Sequence, residues 1–88
     1  MRIIVLDFKY FETKQEVHEY LSKKLGFPEY YGRNLDALYD VLSVWSEEVR
    51  FYLFRDGKDF EEGFLQVISD VSEENPRISL YSVKLPEG

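Results

Sequence analysis

The apolar positions along the chain follow two different periods, and the changes from one period to the other predict six elements. Short runs rich in β-branched and aromatic residues predict strands at residues 3–6, 49–54 and 77–83. Apolar residues spaced three and four apart predict helices at residues 13–25, 34–45 and 59–74. The order β-α-α-β-α-β predicts an α/β fold of two layers, with helices packed on a small, three-stranded, mostly parallel sheet.

Capping signals mark the ends of the first two helices. Thr13 followed by Glu16 has the spacing of a capping box, and Gly26 supplies a stop at the other end of the first helix. Asn34 is a strong N-cap for the second helix. Gly32, in the loop just before that cap, is expected to take a backbone conformation that other residues avoid.

Three further expectations concern the sheet, the third helix and the end of the chain. Residues 3–6 form an unbroken apolar run, which predicts a strand that is central or covered on both faces. Gly63 costs up to ~1 kcal/mol inside a helix, which weakens the prediction of where the third helix starts. Residues 84–88 are expected to form a short tail.

Length and composition indicate one acidic domain spanning residues 1–88. The chain is 44% hydrophobic and 17% aromatic, which is enough for a single core. Its 17 acidic and 11 basic residues give a net charge of −6. This balance argues against a protein that binds nucleic-acid phosphates. It favours either a basic protein partner or simple solubility.

The absence of cysteine rules out disulfides and thiolate metal sites. The first ten residues carry charges too early for a signal peptide, and no apolar run reaches the length of a membrane span. A cytoplasmic location and no membrane partner are therefore expected.

Residues 28–42, PEYYGRNLDALYDVL, contain the strongest candidate for a functional surface. On a helix, Asp36 and Asp40 lie on the side opposite the leucines, together with Ser43. Carboxylates one turn apart repel each other by a few tenths of a kcal/mol. Aromatic residues beside such charges are typical of binding surfaces, and three accompany this pair: Tyr30, Tyr31 and Tyr39.

Other interpretations of the two aspartates are weaker or less informative. By spacing alone, a solvated helix face is the simplest. A hard metal ion would need more oxygen ligands than the neighbouring sequence offers, and glycoside chemistry would need opposed carboxylates in a cleft. His18, the single histidine, lies beside the apolar stripe of its helix and favours packing over catalysis. We therefore expect no enzymatic activity, metal, cofactor or small-molecule substrate.

The same stretch resembles the barstar family of intracellular ribonuclease inhibitors. The matching positions are Pro28, Glu29, Tyr30, Tyr31, Gly32, Asn34, Leu35, Asp36, Ala37, Leu38, Asp40 and Leu42. At lower similarity the resemblance extends to most of the chain, including the first helix with His18 and the segment Leu65-Gln66-Val67. It implies a barstar-like fold, with a three-stranded parallel sheet packed against helices.

The resemblance also implies a function in protein binding. Inhibitors of this family place the second helix and the preceding loop in the active site of a barnase-type, guanyl-specific ribonuclease. Asp40 would enter its phosphate pocket, Asp36 would contact an arginine, and Tyr30 would cover the catalytic histidine. The partner-binding residues that it implies are Tyr30, Tyr31, Asn34, Asp36, Tyr39, Asp40, Ser43, Val44 and Asp70. The alternative is a barstar-like module that binds a different basic protein, not a nuclease.

Several positions depart from the family pattern. Tyr39 replaces tryptophan, Ser43 replaces threonine and Asp70 replaces glutamate. Val44 adds bulk where the family has glycine, and Arg33 reverses the charge of a glutamate next to the site. The segment from residue 55 to 64 is shorter, which predicts the loss of a short helix, and the chain runs past the family's usual last strand. These changes bear on the choice of partner rather than on the fold.

Overall fold

The structure, a computed structural model, describes residues 1–83 and contains a three-stranded, wholly parallel sheet. Its elements are β1 (Arg2–Asp7), α1 (Lys14–Leu25), α2 (Leu35–Ser43), β2 (Val49–Phe54), α3 (Glu61–Glu74) and β3 (Ile78–Val83). A single 3-10 turn, Phe8–Tyr10, follows β1 and was not anticipated. The strands lie in the order β1-β2-β3. The predicted two-layer α/β fold is confirmed. The tail expected at residues 84–88 lies outside the described residues.

The local signals in the sequence place most boundaries correctly. At the start of α1 the Glu16 N–H donates to Thr13 Oγ1 at 3.2 Å, and the Thr13 N–H donates back to Glu16 Oε1 at 3.2 Å. Gly26 ends the helix in the left-handed conformation, with φ of 71°. The third helix starts two residues later than predicted, since Phe60 holds the N-cap position without a capping side chain.

The expectation that β1 is central or covered on both faces is wrong. β1 is an edge strand, and only alternate residues of its apolar run are buried. Parallel crossovers share one hand, so a strand order that advances steadily from β1 to β3 puts every helix on the same face of the sheet. Ile4 and Leu6 point to that face, whereas Ile3 and Val5 are 57% and 45% exposed on the other.

The loop between β2 and α3 closes around one buried carboxylate, that of Glu61. This side chain has no exposed surface and accepts hydrogen bonds from the backbone N–H groups of Asp56 at 3.0 Å and Lys58 at 2.8 Å. Arg55 Nε donates to it at 2.9 Å. Burial alone would raise the pKa of Glu61, but these hydrogen bonds outweigh burial and lower it. The segment contains no separate helix, as the shortened sequence predicts.

Helices α2 and α3 approach closely at one end of their interface because residue 63 is glycine. A Cβ atom on Gly63 would lie 2.6 Å from Leu35 Cδ1 at the start of α2. The glycine that weakened the helix prediction therefore makes room for α2.

The other end of α2 is held by Asn75, the residue that follows α3. Its side-chain amide donates to the carbonyl oxygens of Leu42 at 2.9 Å and Trp45 at 3.1 Å. Its Oδ1 accepts from the Arg77 N–H at 3.1 Å. Asn75 is buried, so these bonds satisfy carbonyl groups at the end of α2 that water does not reach freely.

Replacement of Asn75 by alanine is expected to lower the free energy of unfolding by about 2–3 kcal/mol. The loss follows because the Trp45 carbonyl and the Arg77 N–H lose their partner, whereas the Leu42 carbonyl keeps the bond from the Trp45 N–H. Urea denaturation of Asn75→Ala measures it as a lower midpoint at constant slope. Ser72→Ala is the matched control because, among the described residues, the Ser72 hydroxyl bonds only the Ser69 carbonyl of the same helix. Equal midpoints for the two variants would contradict the assigned role of Asn75.

Candidate partner-binding surface

The outward side of α2 presents two carboxylates that the protein itself does not use. Asn34 caps the helix: its Oδ1 accepts from the Ala37 N–H at 2.8 Å, and its Nδ2 donates to the Gly32 carbonyl at 3.3 Å. Asp36 and Asp40 are exposed one turn apart. Within residues 1–83 neither carboxylate takes part in a hydrogen bond or an ion pair. Both charges are therefore available to a partner.

A groove of about 350 Å³ runs between α2 and the loop before it. Its lining is mainly apolar and contains a single carboxylate: Pro28, Tyr30, Tyr31, Gly32, Ala37, Asp40, Val41 and Val44. Tyr30 and Val44 are 89% and 81% exposed. The groove can therefore accept an apolar surface or an aliphatic chain whose cationic end meets Asp40.

Tyr31 is placed differently from the exposed contact that the sequence suggested. The turn closed by the hydrogen bond from the Tyr31 N–H to the Pro28 carbonyl, at 2.9 Å, sends Tyr30 outward and Tyr31 inward. The Tyr31 ring is 5% exposed and packs on Phe27 with the ring centroids 4.8 Å apart. Tyr31 therefore borders the groove from the core side and offers no free anchor.

The unusual backbone conformation in this loop belongs to Arg33, not to Gly32. Arg33 has φ of 51°, while Gly32 does not have a positive φ. At position 32 the constraint is space, because a Cβ there would lie 3.1 Å from Asn34 Nδ2 and the capping side chain would have to shift slightly. The Arg33 guanidinium turns back towards α1, pairs with Glu19 and donates to the Tyr31 carbonyl at 3.4 Å. Its charge therefore lies beside the loop rather than over Asp40.

The acidic surface continues from α2 onto α3. Tyr39 donates a hydrogen bond to Glu74, and this bond is the main cause that raises the pKa of Tyr39. The negative charges of Asp70 and Asp40 act in the same direction, so both carboxylates lie near the ring. We define the acidic face as Asp36, Asp40, Asp70 and Glu74.

Glu74 is a member of this face that the sequence did not single out. It lies at the polar end of α3, where only the packing of α3 on α2 brings it to Tyr39. Of the remaining predicted residues, Ser43 donates to the Asp40 carbonyl at 2.9 Å, and Asp70 accepts from Gln66 at 2.9 Å. The predicted set thus includes side chains that already serve the local structure.

His18 supports the loop from below. It is 1% exposed, and its Nδ1 lies 2.6 Å from the Tyr31 hydroxyl oxygen. Burial and the nearby charges of Lys14 and Arg33 lower the pKa of His18 to about 4. Burial raises the pKa of Tyr31, so its hydroxyl stays protonated. The packing role that the sequence favoured for His18 is confirmed.

The described part of the chain contains neither a recognisable metal site nor a helix that could span a membrane. No group of three or more His, Cys, Asp or Glu side chains there is arranged to hold a metal ion. None of the helices among residues 1–83 is long and apolar enough to cross a membrane.

The stability of the protein is expected to fall between pH 6.5 and pH 5 because of His18. The unfolded chain binds a proton near the ordinary pKa of 6.5, whereas the folded protein binds it only near 4. Unfolding therefore takes up a proton in this range, and the full loss down to pH 4 is about 2–3 kcal/mol. Urea denaturation at pH 7.0, 6.0 and 5.0 measures the trend.

Two variants isolate the contribution of His18. His18→Asn keeps a polar atom near the Nδ1 position and is expected to remove the slope between pH 7.0 and 5.0, whatever its stability at pH 7.0. Tyr31→Phe removes the hydroxyl but keeps the titrating imidazole, so it is expected to keep the slope while losing about 1 kcal/mol. A wild-type protein equally stable at pH 7.0 and 5.0 would show that the imidazole is not held neutral by burial.

Comparison with known proteins agrees with the fold and with the motif in residues 28–42. The model of the family described as "Barstar (barnase inhibitor)" matches residues 1–81. The protein of Bacillus subtilis (strain 168) named "Putative ribonuclease inhibitor YrdF" is 53% identical over 45 residues. That match covers 51% of this chain and 50% of the relative, about half the length of each. The match over residues 1–81, together with the parallel sheet and the capped acidic helix, shows that this chain belongs to the barstar family.

Proposed function

We propose that this protein inhibits a barnase-type ribonuclease by placing α2 and the loop before it in the active site of the enzyme. The observation that carries the proposal is the exposed pair Asp36 and Asp40, which has no partner within residues 1–83 and whose second member shares a groove with the exposed ring of Tyr30. An enzyme that cleaves RNA must offer a cationic cleft to phosphates, and an acidic helix is complementary to such a cleft. Membership of the family and the name of the Bacillus subtilis relative also support ribonuclease inhibition.

Each of the three central side chains has a distinct role in this proposal. Asp40, at the edge of the groove, enters the phosphate-binding pocket and pairs with its cations. Asp36 contacts a neighbouring arginine of the enzyme. Tyr30 lies over the catalytic imidazole, where a large, rigid ring contributes contact area at little entropic cost.

The surrounding residues of the proposed interface contribute in different ways. Val44 and Tyr39 add contact area, and Asp70 adds charge at the periphery, with Glu74 now beside it. Asn34 and Ser43 line the contact, but their side chains already bond within the protein. Their main effect on affinity is to keep α2 in place before the partner arrives.

The dipole of α2 acts against this binding mode and has to be outweighed. The N-terminus of a helix carries about half a positive charge, which repels a cation. Asp36 lies in the first turn and offsets that charge, while Asp40 lies one turn further from it. Two full negative charges therefore dominate the field that a basic partner meets. We place this function in the cytoplasm, where the inhibitor would meet a ribonuclease before secretion.

Replacement of Asp40 by alanine is expected to weaken binding to the cognate ribonuclease by about 2–5 kcal/mol. The loss arises because the cations of the enzyme pocket stay desolvated without a counter-charge. Complexes of this family are among those on which the range for such truncations is based. Calorimetric titration measures it. Glu48→Ala is the matched control, since it removes one negative charge from the loop before β2, outside the acidic face. A loss below about 1 kcal/mol for Asp40→Ala would remove Asp40 from the proposed pocket.

The free proteins serve as the folding control for that titration. Asp40→Ala relieves the repulsion from Asp36 and introduces a better helix former, so the free variant is expected to be as stable as the wild type or more stable by a few tenths of a kcal/mol. Weaker binding by a variant of undiminished stability separates loss of recognition from loss of fold.

A second candidate function is recognition of a basic protein that is not a nuclease. Two observations favour it: the positive charge of Arg33 beside the loop, and the exposed bulk of Val44 at the end of α2. Titration against a panel of guanyl-specific ribonucleases distinguishes the candidates. Inhibition of at least one of these enzymes at micromolar concentration supports the ribonuclease inhibitor. If none of them is inhibited, and a basic partner without nuclease activity is captured, the alternative is supported.

A further inference from the structure

A second cleft lies where the N-termini of α1 and α2 come together. It has a volume of about 320 Å³ and is lined by the start of α1, by His18, and by the residues that lead into α2: Lys14, Gln15, His18, Arg33, Asn34, Leu35 and Asp36. A neighbouring hollow of about 400 Å³ shares Lys14, His18 and Leu35 and adds the start of α3. The cleft is distinct from the groove beside Tyr30, although Asp36 lies at its edge.

Four backbone donors at these two helix starts have no acceptor in the described protein. The caps Thr13 and Asn34 accept only from the N–H groups of Glu16 and Ala37. The N–H groups of the first two residues of each helix make no hydrogen bond within residues 1–83: Lys14, Gln15, Leu35 and Asp36. Such groups carry the partial positive charge of the helix dipole and point out of the helix end.

The imidazole of His18 supplies an independent observation. Within residues 1–83 the buried hydroxyl of Tyr31 has no acceptor other than His18 Nδ1, so the hydroxyl donates to Nδ1. This assigns the proton of the neutral ring to Nε2. His18 is 1% exposed, and it lines both hollows; Nε2 has no partner in the described protein and is not sealed from them. A buried N–H donor is thus directed at the cleft and unused.

The charged side chains around the cleft nearly balance. Lys14 makes no ion pair within residues 1–83, whereas Arg33 shares its charge with Glu19. Both cations lower the pKa of His18. Two carboxylates oppose an anion, Asp36 in the lining of the cleft and Asp59 in that of the neighbouring hollow, so Lys14 and the N–H donors have to outweigh them.

We propose that this cleft is a binding site for a small oxyanion of the phosphate class. Lys14 supplies the counter-charge, His18 Nε2–H donates one hydrogen bond, and the free N–H groups at the starts of α1 and α2 supply the others. An anion held there ties the two helix starts together and orders the end of α2 that carries Asp36. The site belongs to the free protein and does not depend on ribonuclease binding.

Titration of the free protein with inorganic phosphate at pH 7.0 tests this proposal, with sodium chloride of equal ionic strength as the reference. We expect saturable NMR shifts of the His18 Nε2 resonance and of the amides at the two helix starts. Lys14→Gln is expected to raise the phosphate dissociation constant about fivefold or more, because it removes the nearest unpaired charge. Lys23→Gln, an exposed lysine in the last turn of α1, is the matched control and is expected to leave it unchanged.

The outcome separates a built site from general screening. Saturation by phosphate that is weakened by Lys14→Gln and not by Lys23→Gln supports the proposal. Saturation of the same resonances by acetate as tightly as by phosphate would overturn the assignment to the phosphate class. Shifts that grow equally with chloride, or that are the same in both lysine variants, would overturn it. Lys14 is exposed at the first helical position, so the variant tests binding without disturbing the core.

Discussion

One buried hydrogen bond, between the Tyr31 hydroxyl and His18 Nδ1, connects the features on which the proposed recognition depends. It ties the loop before α2 to α1, and by drawing Tyr31 into the core it leaves its neighbour Tyr30 to face solvent. The same bond bears on which nitrogen of His18 carries the proton. The loop beside the acidic face and the cleft between the helix starts therefore share one polar contact inside an apolar core.

Charge repulsion within the acidic face destabilises α2, and contacts at both ends of the helix and beneath it offset this destabilisation. Asp36 and Asp40 repel each other, and no cation of the described protein relieves them. A helix of nine residues under such repulsion is marginal by itself. It is held by Asn34 at its start, by Asn75 at its end, and by the burial of Leu38 and Leu42 beneath it. Rigid support of this kind means that a partner does not have to order the helix on binding.

The parts of the fold that local chemistry determines could be predicted from the sequence. The capping box of Thr13 and Glu16 defines the start of α1, and strict alternation from Val49 to Leu53 defines β2. The exposure of Ile3 and Val5 could not be predicted in this way, because it follows from strand order and from the common hand of the crossovers. An unbroken apolar run occurs both in strands with one face of the sheet covered and in strands with both faces covered, so the sequence alone does not distinguish the two.

The candidate site shows the same division between local and tertiary information. The family motif identified Tyr30, Asp36 and Asp40, and all three are exposed, with Tyr30 and Asp40 lining one groove and Asp36 one helical turn from Asp40. The burial of Tyr31 could not be predicted, because adjacent tyrosines in a turn are alike in sequence and point in opposite directions. Glu74 was missed because it reaches Tyr39 only through the packing of α3 on α2.

The close approach at Gly63 has a consequence for how this surface can diverge. Any side chain at position 63 has to displace Leu35, the first residue of α2, since even a Cβ would lie 2.6 Å from its methyl group. The atom in the way is a methyl group at the end of a flexible side chain, so a rotation of Leu35 relieves the contact with a small residue. A side chain too large for that rotation would press on the first turn of α2, which carries Asp36, so a substitution on α3 could shift one charge of the acidic face while every residue of the proposed interface keeps its identity.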